Sequence, residues 1–453
     1  MIWLTVILAA LGGLGLVLVY GSSAETPWFI LGLPLALPAA VFMLRLGQGY
    51  RIILLLLICL IPLDVFAIIP GMEESSTLFK LLFPIAFLWL MLDWLVNPGT
   101  RIKLTAMDWW LIFYGIFNWI LVLNAFDSLV ALNTLRRYTS MWALYYVLSR
   151  SLDEPPWPEW TQVAVVLSTV LSAMIGFWVY LSEENPFYVE SVGAADEIRI
   201  TGAAGIDPNA YSIVLVVALV WSVYRTFRLT GWKRWLYAGS SLALCMGIIL
   251  TYSRSAWLTT ICAAFFALFW MRKYITPKRV TVAVLVGVIG LFFIPEDAAE
   301  RFTSLFSSQE RQRDFSLNRR ALYIKVGYNI FKDKPLLGCG PGNFPLLYQQ
   351  PKYQEITAQI GVPRMAHNMY LTELTESGLV GLILFSGFLI STLMAQRRIA
   401  ARLPGDFNFG RALMTSFVAL LIMGLFLHLE LVKYLWLVAA MTRALDNEPR
   451  DEV

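Results

Sequence analysis

The chain has 453 residues, 58% of them hydrophobic and only 15% charged, and its mean hydropathy is +0.65. That composition excludes a soluble globular protein and gives no basis for a nucleic-acid-binding one; the formal net charge of +4 says less than where the charges lie. Two histidines and four dispersed cysteines, with no CxxC, also exclude a histidine-rich metal site and a disulfide framework.

A spanning helix needs about 20 mostly apolar residues. Runs of that kind recur near 2–20, 27–45, 51–69, 78–96, 108–125, 128–149, 161–182, 208–225, 235–252, 255–271, 280–294, 368–394, 411–427 and 430–445. The expected fold is therefore all-α, a polytopic membrane helical bundle of about 12–14 transmembrane helices. No Lys or Arg precedes the first run, so it reads as a retained helix rather than a signal peptide. Every second connection is basic: Arg45 and Arg51, Arg101 and Lys103, Arg225 to Arg234, Arg272 to Arg279, Arg397 to Arg411. The intervening ones are acidic or nearly uncharged, as in GMEESS and in Ser182 to Asn209, where Glu183, Glu184, Glu190, Asp196 and Glu197 stand against Arg199. Because basic residues collect in short cytoplasmic loops, this alternation predicts cytoplasmic termini. The connection Ser151–Trp160 is acidic where this scheme expects basic residues, but acidic residues count little in the rule.

The longest connection then faces outward. Leu322, Val326, Ile330 and Phe331 recur at helical spacing in RRALYIKVGYNIFKDKP, Pro335 ends that helix, and GCGPGNF makes a rigid turn. The expected organisation is transmembrane helices over 1–294, a structured helical cap over 295–367, and C-terminal transmembrane helices with a cytoplasmic tail over 368–453. The turn lacks the GxGxxG spacing and follows no strand, so it does not read as a phosphate loop.

An arginine near a bilayer requires an explanation. Arg254, in TYSRSAWL, reads equally well by itself as an interfacial residue whose head reaches water. Its company favours a ligand, since Arg199, Arg319, Arg320 and Arg364 are expected on the same outer side. Guanidinium groups stay charged and bind phosphate oxygens bidentately, which suits a pyrophosphate. Arg136 and Arg137 read as buried ion-pair partners or snorkelling residues just as well as substrate contacts. His367, in AHNMYLTELTESGLVG, is read as the general base of this cluster beside an anionic leaving group, although a histidine at a helix start more often caps it. Glu373 and Glu376 lie on one flank of that helix as support, Glu376 reading as structural. Asn209, in GIDPNAYS, fits a helix start and could touch a sugar.

Four motifs in this order, RITGAAGIDPNAYS, TYSRSAWL, NRRALYIKVGYNIFKDKPLLGCGPGNF and AHNMYLTELTESGLVG, resemble the bacterial O-antigen ligase and polymerase superfamily of Wzy-C type membrane glycosyltransferases. The resemblance covers about Arg199 to Gly381. It implies a GT-C-like enzyme of the bacterial inner membrane, needing no cofactor, no metal and no nucleotide sugar. Such an enzyme takes a glycan from undecaprenyl pyrophosphate at the periplasmic face and passes it to an acceptor hydroxyl, on another glycan or on lipid A–core. The family's phosphate-binding arginines fall on Arg254 and on Arg319, with Arg320 one register away and Tyr323 where Trp is commoner; its histidine falls on His367. The competing reading from composition is a multi-span transporter. Transporters usually show repeated halves with polar groups at mid-membrane, and no repeat is visible here.

Overall fold

The computed structural model describes residues 49–63, 78–96, 103–182, 199–203, 207–271, 276, 277, 281, 315–353 and 365–446. Among them every regular element is a helix: α1 (Gly49–Leu60), α2 (Leu78–Val96), α3 (Ala106–Leu121), α4 (Ser128–Ser151), α5 (Trp157–Ser182), α6 (Pro208–Arg228), α7 (Gly231–Leu250) and α8 (Arg254–Met271). After these come α9 (Phe315–Asp333), the short α10 (Phe344–Tyr348), α11 (Met369–Glu376), α12 (Gly378–Arg402), α13 (Phe409–Met423) and α14 (Lys433–Asp446). Among the described residues, four stretches are long and apolar enough to cross a membrane: Ala106–Asn124, Trp157–Ser182, Pro208–Arg228 and Gly378–Arg402. Shorter apolar helices occupy Gly49–Leu63, Leu82–Met91, Arg254–Trp270 and Phe409–Met423. Large apolar side chains remain on the outside, among them Leu123, Leu181, Trp119 and Phe265. Water penalises such a surface, whereas lipid accepts it. The chain is a helical membrane protein.

The helix starts are written in short polar residues. Asp127 accepts from the N–H groups of Leu129 and Val130, and Asp207 accepts from those of Asn209 and Ala210 with Pro208 in the first turn. Asn368 and Asn408 cap α11 and α13 in the same way. Each such cap satisfies an N–H that the helix cannot and contributes ~1 kcal/mol. The helices α6 and α7, and α3 and α12, pack as antiparallel neighbours, while α4 and α14 lie side by side with both C-terminal ends at Asp108, and α13 is set among α6, α8 and α12. The core they enclose holds Trp221, Trp436, Tyr114, Tyr145, Phe385 and Phe388.

One end of the bundle is closed by ion pairs between helix termini. Arg51 pairs with Glu154, and Arg225 with Glu159. The deepest of these centres on Asp108, which is wholly buried at the start of α3. Its carboxylate accepts from Arg443 Nε at 2.7 Å, Arg150 at 3.3 Å, the Tyr145 hydroxyl at 3.1 Å and the Thr105 backbone N–H at 2.8 Å. Arg443, also buried, donates as well to the carbonyl of Lys103. Three helices, α3, α4 and α14, are thus tied at this end.

At the opposite end lies a separate apolar cluster: Tyr323, Val326, Ile330, Cys339, Phe344, Tyr348, Tyr353 and Ala366. The face of α9 that builds it runs through Tyr323, Val326 and Ile330, with Leu322 and Phe331 half-buried beside it. The expected span 368–394 is broken. α11 ends at Glu376, and α12 starts at Gly378, whose φ is +65°. The break exists because the turn 338–344 docks there. Cys339 N–H donates to the Thr375 carbonyl, Gly340 N–H to that of Glu376, and Leu379 N–H to that of Pro335. Gly338, at φ +67°, lies so close that a Cβ would stand 2.5 Å from the Glu376 carbonyl carbon. Gly338→Ala should therefore cost about 2–5 kcal/mol, the sum of a left-handed penalty and overpacking. Thermal unfolding in detergent measures this, and an unchanged melting temperature would refute the docking.

Candidate active site

The site is built outward from the start of α11. His367 precedes the Asn368 cap and has φ +47°, in the left-handed region that non-glycine residues seldom occupy. The described residues contain one other such non-glycine, Tyr252 at φ +50°, immediately before Ser253 and Arg254. Such backbone persists only where surrounding contacts over-determine it, and it concentrates at functional sites. Around His367 the contacts come from the connection between α13 and α14. The Met369 N–H donates to the carbonyls of Gly424 (2.7 Å) and Leu427 (3.1 Å), and the Tyr370 hydroxyl to that of Leu421 (2.9 Å).

That clasp carries a second imidazole to the first. The rings of His367 and His428 lie 4.9 Å apart, tilted by 35°. Tyr323 of α9 stands 6.0 Å from His367 and in turn 5.8 Å from Tyr348. The guanidinium of Arg320 sits 5.5 Å above the ring of Phe426, two residues before His428. Arg319 is the preceding residue on the same helix. Burial, then the neighbouring His367, push the His428 imidazole down to about 4; Asp207 opposes this and Arg137 adds to it. His428 is therefore neutral throughout the ordinary working range.

Asp207 connects this cluster to a second one. It caps α6, and the Asn209 it holds accepts from Arg199 Nη2 at 3.3 Å. Arg199 Nε donates to the Thr251 carbonyl at 2.9 Å, and Ile200 N–H to that of Leu250. The segment carrying Arg199 is thereby fastened to the turn 251–253 that delivers Arg254 into α8. The Tyr252 hydroxyl meets that of Tyr180 at 3.3 Å, and Ser253 meets Ser255 at 3.1 Å.

Of the residues expected from sequence, Arg199, Asn209 and Arg254 gather at the 251–254 turn, while His367 and the Arg319–Arg320 helix gather at the α13–α14 connection. Glu373 and Glu376 are engaged elsewhere. Glu373 accepts from the Tyr114 hydroxyl (2.5 Å) and the Ser377 hydroxyl (2.8 Å), tying α11 to α3. Glu376 accepts from the N–H groups of Gly342 (2.6 Å) and Phe344 (3.2 Å), so it holds the Gly-Pro-Gly turn in place. The cap of α6 is Asp207, leaving Asn209 to orient Arg199. Arg136 and Arg137 are exposed on α4. Arg364 lies outside the described residues. Sequence reasoning gives His428 no role beyond being a second side chain at the outer surface that could titrate near neutral pH, and gives Asp207 none.

Residues 239–386 match the Wzy_C family, described as O-antigen ligase. This stretch is about a third of the chain and includes Arg254, Arg319, Arg320 and His367. No curated protein matches the chain. Over residues 239–386 the chain is therefore similar to the O-antigen ligase family.

Proposed function

We propose that the protein is an inverting, metal-independent glycosyltransferase that moves a glycan from undecaprenyl pyrophosphate to an acceptor hydroxyl at the periplasmic face of the bacterial inner membrane. The observation that carries this reading is His367, held in left-handed backbone beside a neutral imidazole. It lies at the same end of the bundle as Arg199, Arg254 and the arginine-bearing start of α9. In the transfer, a ring nitrogen of His367 takes the acceptor hydroxyl's proton. The oxygen's electron pair forms the new bond to the anomeric carbon, and the bond to the pyrophosphate oxygen breaks with its pair staying on phosphate. General base catalysis of this kind contributes about 10²–10⁴-fold. Guanidinium groups facing the departing pyrophosphate stabilise the charge that develops there.

Purified protein in proteoliposomes, given a lipid-pyrophosphate-linked glycan, should transfer it either to lipid A–core or to a second lipid-linked repeat. The first outcome makes it a ligase and the second a polymerase; transfer to neither defeats the reading. In the same assay Arg254→Lys should lose at least about tenfold in kcat/KM for the donor, because an ammonium cannot reproduce the bidentate fork. Wild-type donor kinetics in that variant would remove Arg254 from the pyrophosphate site.

A further inference from the structure

The mechanism above leaves His428 packed against the base without a task. Its Nδ1 is buried and has no hydrogen-bond partner among the described residues. A buried polar atom in that condition costs ~1–3 kcal/mol, so its place is explained only if something donates to it at some stage of the cycle. Four groups bear on it or on the adjoining ring. His367 faces it from the start of α11, Asp207 from the start of α6, and Arg137 from α4. Tyr323 stands 6.0 Å from His367 on α9, where Arg320 covers Phe426. Burial and two of the three charged neighbours keep His428 from taking up a proton. A neutral imidazole always has one nitrogen with a free lone pair, and the nearest group that gains a proton during transfer is His367.

We propose that His428 is a positioning residue for His367, accepting a hydrogen bond from the ring N–H that faces away from the substrate. This rests on His367 being the base. A turn of the His367 ring about its Cβ–Cγ bond exchanges the present tilted contact for an edge-on N–H···N one. That bond fixes which nitrogen of His367 is free to take the acceptor's proton, and it is strengthened once the ring is charged. A carboxylate serves this purpose beside many catalytic histidines. Here a neutral acceptor does so, giving orientation with less rise in basicity. No proton leaves His367 for His428: the acceptor's proton stays on His367 until it passes to the departing pyrophosphate or to water.

The test compares His428→Phe, which keeps a flat ring and loses the acceptor, with His428→Asn, whose amide oxygen reaches about where Nδ1 stands. Full pH profiles of kcat, and KM for both substrates, are measured in proteoliposomes with the lipid-linked donor. His428→Phe should lose about 10–100-fold in kcat, within the range of a general-base contribution, with both KM values within about twofold. Its acid limb should move down by about one pH unit, because the charged ring has lost its partner. His428→Asn should restore most of the rate and return the limb toward its original position. Equal losses in both variants, or an unmoved acid limb, would make His428 a packing residue and overturn the proposal. His367→Asn is run alongside: wild-type transfer there defeats the functional reading itself, whatever the His428 variants do.

Discussion

Replacing His367 by Asn is expected to lower glycan transfer by about 10²–10⁴-fold while leaving the fold intact. Asparagine is the informative substitution because of the backbone. At φ +47° histidine and asparagine are both among the side chains that visit the left-handed region more readily than alanine, so asparagine keeps the backbone preference while removing the imidazole. It also retains polarity beside His428 and Tyr323. The checks are the transfer assay with a lipid-pyrophosphate-linked glycan and a melting curve in the same detergent. Near-normal transfer with an unchanged melting temperature would dispose of the base assignment.

The second large effect is one of stability, at the far end of the bundle. Asp108→Ala removes the single carboxylate that Arg443 and Arg150 share, and it leaves the Arg443 guanidinium buried without its counter-charge. Breaking a buried pair in this way costs about 3–5 kcal/mol. The loss should appear as a clear drop in melting temperature, with helices α3, α4 and α14 loosening together. Arg398→Ala makes the control. Arg398 is 57% exposed and holds Asp446 from the solvent side, and pairs at the surface contribute about 0–1 kcal/mol, so the loss should be much smaller. If both variants melt alike, the Asp108 cluster is not the tie described above.

Much of this architecture is legible in one sequence because hydrophobic run length and cap residues are local properties. Asp127, Pro208 and Asn368 announce their helices within four residues. The arginine motifs and His367 stand out because polar residues are conspicuous in an apolar chain. The break between α11 and α12 was not legible. ESG interrupts no hydrophobic pattern strongly enough, and the cause is the turn 338–344, which arrives from elsewhere in the chain. The pairing of His428 with His367 was not legible for the same reason. His428 meets His367 only because α12 and α13 form a hairpin that returns the chain to its starting level, a long-range fact that no window of residues contains. Glu376 could be read as structural from its helix, but its partners, two backbone N–H groups of the Gly-Pro-Gly turn, could not.

That turn has one more consequence. Besides its bonds to α11, it is joined to the connection between α3 and α4: Phe126 N–H donates to the Cys339 carbonyl, Asp127 N–H to Asn343 Oδ1, and Asn343 Nδ2 to the Asp127 carbonyl. Each bond contributes ~0.5–1.5 kcal/mol, and lifting the turn would break all of them together. It is a rivet rather than a lid.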